Sequence, residues 1–266
     1  MKLLRTAAEV EAALQPAQQE GQDIGLVPTM GAFHAGHRAL MQAARAADEV
    51  VVVSLFVNPA QFGPIEDLAR YPRDEASDAE MAAAEGVDIL FVPSVDEMYP
   101  PGFDTWIDPG RLGTVLEGAM RPGHFRGVAT VCGRLFGMVR PRRAYFGRKD
   151  AQQVAVINQV VRDLALPLAI EVCATVRDPD GLALSSRNAY LSPDERSVAL
   201  ALPQALERGL SAHRAGEDPE AAVRAHLAAE PRLVVDYVAT ADFGGPTLAA
   251  AIRVGGKRLI DNVQLD

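Results

Sequence analysis

The chain has 266 residues, of which 48% are hydrophobic and 23% are charged, which is typical of a globular protein with one large domain or a large and a small one. Its formal net charge of −9 argues against a protein that binds nucleic-acid backbones, because those proteins concentrate lysine and arginine. Cys132 and Cys173 lie far apart in apolar segments, so we expect buried free thiols rather than a disulfide or a zinc site.

The beginning of the chain predicts a protein without a secretory signal. Charged side chains at Lys2, Arg5, Glu9 and Glu11 occupy the region where a signal peptide has its apolar core. No stretch reaches the roughly 18 uninterrupted apolar residues that a membrane span needs. We therefore expect a cytoplasmic protein that binds neither membrane nor nucleic acid.

Short apolar runs alternate with helix-like stretches along the first two thirds of the chain. The runs predict strands at 24–27, 50–57, 87–92, 144–146 and 168–172. Apolar residues at three- and four-residue spacing predict helices at 38–47, 74–85, 127–139 and 151–164. This alternation favours a parallel sheet that is covered by helices on both faces.

The pattern changes after about residue 175. A polar, Ser- and Asp-rich loop is followed by two Ala-rich helices at 194–210 and 219–229, with an exposed loop at 211–219. Strands are predicted at 233–239 and 257–262. Residues 176–266 are therefore expected to form a smaller α+β domain.

The first chemistry-bearing motif follows the strand at 24–27 and reads Pro-Thr-Met-Gly-Ala-Phe-His-Ala-Gly-His over residues 28–37. In open α/β sheets, ligands bind beyond the carboxyl ends of strands, where a helix start offers unpaired N–H groups. Gly31 and Gly36 would allow close approach of a phosphate, and His34 and His37 could donate to its oxygens. The alternative is two histidines that share a helix face without a function.

Two further motifs follow other predicted strands. Asn58 and Gln61, after the second strand, carry amides that can read a polar ligand, although Asn-Pro is also an ordinary turn start. Lys149, after the strand at 144–146, is suited to bind phosphate. Asp150 beside it is also suited to cap the next helix, and Gln153 lies one helical turn later.

Two polar segments complete the set. Ser185, Ser186 and Arg187 end the loop at 177–188 and could wrap a triphosphate, while such a loop is also compatible with simple solvation. The segment at 120–127 contributes two arginines and a histidine, which equally fit a solvated helix entrance.

In their order along the chain, these segments resemble the pantothenate synthetase family. The family stretches are Pro-Thr-Met-Gly-Ala-x-His-x-Gly-His, Phe-Val-Asn-Pro-x-Gln-Phe, Lys-Asp-x-Gln-Gln and Asp-Gly-Leu-Ala-x-Ser-Ser-Arg-Asn. The matches span about residues 24–191, with a weaker one at 258–262. The resemblance implies ATP-dependent condensation of pantoate with β-alanine, which gives pantothenate, AMP and pyrophosphate through a pantoyl adenylate. It also implies a Rossmann-like doubly wound domain at 1–175 that binds nucleotide and pantoate, and a C-terminal domain at 176–266 that closes over the ATP site.

The resemblance also implies roles for individual residues. The catalytic residues would be His34, His37, Lys149, Ser185, Ser186 and Arg187. The ATP-binding residues would be Met30, Gly31, Ala32, Phe33, His34, Ala35, Gly36, His37, Gly147, Arg148, Lys149, Asp150, Val176, Leu184, Ser185, Ser186 and Arg187. Gln61 and Gln153 would bind pantoate, and Gln61 would also lie beside β-alanine. Mg²⁺ is expected on the ATP phosphates without assigned protein ligands, and a homodimer is expected.

The chain departs from the family pattern at Arg148, Ala151 and Leu184, where relatives commonly have Glu, Tyr and Met. Asp78 follows a serine where relatives often have a second acidic residue. Three alternatives stay open: a cytidylyl- or adenylyltransferase that releases a nucleotidyl product, a nucleotide-sensing module without catalysis, and a tRNA-charging enzyme. The acidic net charge argues against the last of these.

Overall fold

The computed structural model describes residues 1–63, 68 and 71–266. Its first part contains the strands β1 (Lys2–Leu4), β2 (Ile24–Thr29), β3 (Val50–Leu55), β4 (Ile89–Phe91), β5 (Arg143–Gly147) and β6 (Ala169–Cys173). The helices there are α1 (Ala7–Gln19), α2 (Ala35–Ala47), α3 (Glu75–Ala84), α4 (Val95–Met98), α5 (Glu117–Met120), α6 (His124–Val139) and α7 (Ala151–Asp163). No described helix is both long enough and apolar enough to span a bilayer.

The six strands form one sheet in the order β1-β4-β3-β2-β5-β6, and every neighbouring pair is parallel. The predicted α/β class with a doubly wound parallel sheet is confirmed. The strand order reverses direction at β2, which lies between β3 and β5. In sheets of this kind, ligands bind beyond the carboxyl ends of the strands at such a reversal.

Both faces of the sheet are covered, as the apolar strands predict. Along β3, Val52 packs in one core with Leu14 of α1 and Ile157 of α7. Val51 and Val53 point the other way and pack with Met41 of α2. Because successive strand residues alternate between faces, a run of valines can stabilise the fold only when helices cover both sides.

Contacts divide the chain into two compact units. The first unit comprises Met1–Gly147 and Gln153–Cys173, and the second comprises Arg148–Gln152 and Ala174–Asp266. The predicted boundary at residue 175 had placed residues 148–152 in the first domain. They group with the second unit, where Asn262 donates hydrogen bonds to the carbonyls of Arg148 and Lys149.

The second unit packs helices on an antiparallel sheet. Its elements are α8 (Pro193–Ala199), α9 (Ala201–Arg214), α10 (Pro219–Ala228), β7 (Leu233–Asp242), β8 (Pro246–Val254) and β9 (Lys257–Gln264). The sheet order is β7-β8-β9. The core combines Leu202 and Leu206 of α9, Val223 of α10 and Ile252 of β8.

Several local predictions differ from the structure. The single helix predicted at 194–210 is divided at Leu200, because Pro203 has no N–H to donate to the carbonyl of Ala199. The loop predicted at 211–219 begins inside α9, which continues to Arg214. Strand β8 was missed because its alanines carry little β propensity, and β1 was missed because it has only three residues.

Candidate active site

The two histidines of the first motif cap the start of α2. His34 Nδ1 accepts the Gly36 N–H at 3.1 Å, and His37 Nδ1 accepts the His34 N–H at 3.3 Å. The two rings lie 4.2 Å apart between centroids. A nitrogen that accepts an N–H bears no proton, so the proton of each neutral ring resides on Nε2. The reciprocal cap therefore assigns the proton of each neutral imidazole to Nε2.

The loop before this helix is held by a buried carboxylate. Asp78 of α3 is 3% exposed and accepts the N–H groups of Ala32 at 2.9 Å and Phe33 at 2.7 Å. Ala32 has a φ of 53° and Gly31 a φ of 89°. A Cβ on Gly31 would lie 2.9 Å from Asp78 Oδ2, so the glycine allows the carboxylate to approach.

One expectation about this loop needs correction. The sequence suggested unpaired N–H groups at the start of α2, where a phosphate would bind. In the structure, the N–H groups of Ala32, Phe33, His34 and Gly36 are all hydrogen-bonded within the chain. These four amides are thus engaged within the chain.

The burial of Asp78 predicts a specific pH dependence of the unfolding free energy. Burial raises the pKa of Asp78, and the two backbone N–H groups oppose that rise. A carboxyl group whose pKa is higher in the folded than in the unfolded protein stabilises the fold fully at pH values below its unfolded-state pKa. This stabilisation is lost as the pH rises through its folded-state pKa. We expect the unfolding free energy of the wild type, relative to Asp78→Asn, to decrease as pH is raised from about 4 to about 7. Urea titrations of both proteins across this range measure it, and a constant difference would contradict it.

The amide of Gln61 has a defined orientation. Asn58 is 1% exposed and precedes the short 3₁₀ turn Pro59–Gln61. Its Oδ1 accepts the Ala60 N–H at 3.2 Å and the Tyr99 hydroxyl at 2.7 Å. Its Nδ2 donates to the Gly127 carbonyl at 3.2 Å and to Gln61 Oε1 at 2.9 Å.

These four bonds decide which group Gln61 presents. A backbone N–H can only donate and a carbonyl can only accept, so Asn58 cannot be turned over. Gln61 Oε1 is consequently directed to Asn58, and Gln61 Nε2 lies on the other side, where it donates to Met30 Sδ at 3.2 Å. Burial raises the pKa of Tyr99 to about 12, which keeps its hydroxyl protonated as a donor near neutral pH. Gln61 therefore presents its NH₂ group rather than its oxygen, and Met30 Sδ accepts one of the two N–H bonds.

The segment at 120–127, which the sequence left between a binding role and a helix entrance, supports the same turn. His124 Nδ1 lies 2.8 Å from the Gln61 carbonyl, and its Nε2 lies 3.0 Å from an Arg121 nitrogen. Since the carbonyl only accepts, Nδ1 carries the proton and Nε2 accepts from Arg121. A Cβ on Gly127 would lie 2.7 Å from the Gln61 N and nearer still to the Ala60 carbonyl. No spacing in the sequence indicates this support, because the contacts join distant segments.

The other predicted residues of the first unit lie at the ends of its elements. Gly147 is the last residue of β5, next to β2 in the sheet, and Gln153 lies partly buried in the first turns of α7. Ala35 is the first residue of α2 and is exposed. Phe33 packs beside His37, with ring centroids 5.3 Å apart.

The second unit contains the remaining predicted residues. Lys149 lies in the 3₁₀ turn Arg148–Asp150, and its Nζ is 3.7 Å from Asp150 Oδ1. Ser185 Oγ accepts the Arg187 N–H at 3.3 Å and thereby caps the 3₁₀ helix Ser186–Tyr190. The Leu184 N–H donates to the Val176 carbonyl at 3.0 Å.

The described residues do not form a ready-made metal site. Residues 1–63, 68 and 71–266 include no group of three or more His, Cys, Asp or Glu side chains placed to hold an ion. Both oxygens of Asp78 accept backbone N–H groups. Cys132 is buried and Cys173 partly buried, and both are free thiols as predicted.

Comparison with known proteins places this arrangement in a family. The pantoate–β-alanine ligase family model matches residues 2–264. The pantothenate synthetase of Moorella thermoacetica is 51% identical over 280 residues, covering 100% of this chain and 99% of the relative. The pantothenate synthetase of Roseiflexus sp. is 50% identical and is covered completely.

Solved structures agree. The crystal structure of pantothenate synthetase from Thermus thermophilus has a TM-score of 0.94 at 44% identity, covering 100% of this chain and 99% of that one. Pantoate–β-alanine ligase from Francisella tularensis, complexed with an ATP compound and β-alanine, has a TM-score of 0.87 at 34% identity, covering 100% and 98%. The chain therefore belongs to the pantoate–β-alanine ligase family.

Proposed function

We propose that this chain catalyses the ATP-dependent condensation of pantoate with β-alanine to pantothenate, AMP and pyrophosphate. The observation that carries the proposal is the reciprocal cap of His34 and His37 beyond the end of β2, which puts the proton of each neutral imidazole on Nε2, in the same unit as the oriented amide of Gln61. Imidazole donors suit a phosphate chain, and an oriented amide suits a substrate rich in hydroxyl and carboxylate oxygens.

The reaction would proceed in two steps. A pantoate carboxylate oxygen attacks the α-phosphorus of ATP, which forms the pantoyl adenylate and releases pyrophosphate. The β-alanine amine then attacks the acyl carbon, the acyl–oxygen bond to AMP breaks, and the amine loses a proton. Because water could attack the acyl carbon in place of the amine, the site must exclude water from the adenylate.

Each residue in the proposal supplies a donor or a charge. His34 and His37 would stabilise negative charge on the phosphate oxygens during the first step, and Met30 and residues 31–36 would line the nucleotide. Lys149, Ser185, Ser186 and Arg187 would neutralise the departing pyrophosphate. Ser185 Oγ already accepts the Arg187 N–H, so its own proton is available to donate. Gln61 and Gln153 would hold pantoate, with Gln61 beside β-alanine.

The proposed nucleotide site is completed by Gly147, Arg148, Asp150, Val176 and Leu184. Mg²⁺ would arrive with ATP, held by phosphate oxygens and water, because the described residues form no ligand set of their own. When bound, it neutralises phosphate charge. A homodimer and a cytoplasmic location remain predictions from the resemblance and the sequence, and sedimentation analysis tests the former.

The function is tested with ATP, pantoate labelled with ¹⁸O in its carboxylate, and radiolabelled β-alanine. We expect equal amounts of labelled pantothenate and AMP, with one ¹⁸O transferred to AMP, because the attacking oxygen stays on phosphorus when the acyl–oxygen bond breaks. A stable nucleotidyl product would support a cytidylyl- or adenylyltransferase instead. Binding of ATP without turnover would support a nucleotide-sensing module.

Arg148 gives a prediction specific to this chain, since relatives commonly have Glu there. The arginine of this chain places a positive charge next to Lys149, where the relatives have a negative one. We therefore expect Arg148→Glu to weaken ATP binding by a few-fold, about the effect of one exposed ion pair. Titration of ATP into both proteins measures it. Arg208→Glu, an exposed position on α9 with the same charge change, is the control. Equal ATP dissociation constants for Arg148→Glu and the wild type would contradict the prediction.

A further inference from the structure

Two consecutive residues of β9, Asp261 and Asn262, are buried and polar, with 2% and 5% of their surface exposed. They belong to the weakly matching segment at 258–262, which has no role in the proposed reaction. Their side chains leave the strand in opposite directions, as neighbouring strand residues do. Each of them contacts a different segment of the second unit.

Asn262 fixes the turn that carries Lys149. Its Nδ2 donates to the Arg148 carbonyl at 3.0 Å and to the Lys149 carbonyl at 2.9 Å. Both amide hydrogens thus bind consecutive carbonyls, which orients the two peptide planes and the bond from which the Lys149 side chain leaves. An oxygen at the position of Nδ2 would face two carbonyl oxygens and could bind neither of them.

Asp261 fixes the loop that leads to Ser185, Ser186 and Arg187. Its carboxylate accepts two bonds from Arg177, at 2.6 Å and 3.0 Å, and the carboxylate side chain is 1% exposed. Arg177 also donates to the Gly181 carbonyl at 3.1 Å, across a turn closed by the bridge between Arg177 and Ala183. Ala183, at the end of this turn, is followed directly along the chain by residues 184–187.

We propose that Asp261 and Asn262 are positioning residues, which together set the separation between Lys149 and the segment at 185–187. This inference rests on the proposed function, in which both segments bind the triphosphate and the departing pyrophosphate. A polyphosphate chain carries several charges at fixed spacing, so two cationic segments bind it well only when their separation is held. Asp261 and Asn262 are neighbours on one strand, β9, so the two segments that they bind are held by the same element.

If Asp261 and Asn262 only stabilised the fold, their replacement would lower stability without a specific loss of ATP binding. Asp236 serves as the control for such a general loss of stability. Its side chain on β7 is 5% exposed and accepts from Arg253 at 2.9 Å and from Arg258 at 2.6 Å. Asp236→Asn therefore weakens a carboxylate–arginine cluster of the same sheet without touching either cationic segment. Loss of stability alone should be similar for Asp236→Asn and Asp261→Asn.

The experiment measures ATP and pantoate dissociation constants and urea unfolding for the full chain and its variants. We expect Asn262→Asp to weaken ATP binding by about tenfold or more, which corresponds to the loss of one net hydrogen bond. Asp261→Asn should weaken ATP binding by a few-fold relative to the wild type. Pantoate binding in the absence of ATP should change by less than about twofold, because its proposed ligands belong to the first unit. Asp236→Asn should leave both constants unchanged.

Unchanged ATP binding in Asn262→Asp, with a loss of stability like that of Asp236→Asn, would overturn the inference. If Asn262→Asp does not fold, Asn262→Ala removes the donors without introducing an opposing oxygen and is judged by the same ATP constants. The readout is also independent of catalysis. A wild type that binds ATP but forms no pantothenate would refute the proposed function, while the ATP constants would still decide the positioning role.

Discussion

Replacement of His37 by alanine is expected to slow adenylate formation at least about a hundredfold, the loss typical of a missing transition-state donor. Alanine removes both the cap on the His34 N–H and the Nε2–H donor. Lys149→Ala should cause a loss of the same order, because it removes the ammonium proposed to follow the departing pyrophosphate. Rapid-quench measurement of AMP and pyrophosphate in a single turnover gives the rate of this step directly. Near-normal adenylation in either variant would count against the role of that residue.

A second variant separates two roles that the position of His37 allows. His37→Gln can place an amide NH₂ near the position of Nε2, but an amide cannot transfer a proton at neutral pH. Charge stabilisation by hydrogen bonding predicts that Gln recovers a large part of the rate lost in Ala. Proton transfer predicts that the two variants are equally slow. His213→Ala, an exposed histidine at the end of α9, is the matched control and should retain the wild-type rate.

Asn58→Asp is expected to weaken pantoate binding by about tenfold to a hundredfold, as expected when one or two hydrogen bonds to a charged ligand are lost. A carboxylate has no N–H to give to Gln61 Oε1, so the Gln61 amide should turn its Nε2 toward residue 58. Gln61 would then present an oxygen to the oxygen atoms of pantoate. Titration of pantoate into each protein measures the effect, and ATP binding should be retained.

Tyr99→Phe provides the graded comparison. It removes only the hydroxyl bond to Asn58 Oδ1, which still accepts the Ala60 N–H, so we expect a loss of a few-fold in pantoate binding. Tyr145→Phe is the control, because the Tyr145 hydroxyl donates to Asp48, a residue without a bond to Asn58 or Gln61. Pantoate binding equal to the wild type in Asn58→Asp would show that the orientation of Gln61 does not matter for this ligand.

Much of the fold was predictable because local patterns encode it. The valines at 50–53 indicate a strand buried on both faces, and the structure places that strand inside a covered parallel sheet. The start of α2 was predicted three residues too late, since the polar cap His34 and the small residues after it carry no apolar signal. Strand β8 was missed because the middle of its sequence is alanine, and its place between β7 and β9 depends on partners distant in sequence.

The candidate site divides in the same way. The sequence by itself determined which chemical groups this protein has and where they lie along the chain: the histidines after β2, the amides after β3, Lys149 after β5 and the hydroxyls before Arg187. Only the tertiary structure decided how these groups are oriented. Asp78 satisfies the loop amides, Tyr99 and Gly127 direct Asn58 and hence Gln61, and Asn262 fixes the Lys149 turn. Each of these bonds joins residues at least 41 positions apart in the sequence, and no local pattern records such a contact.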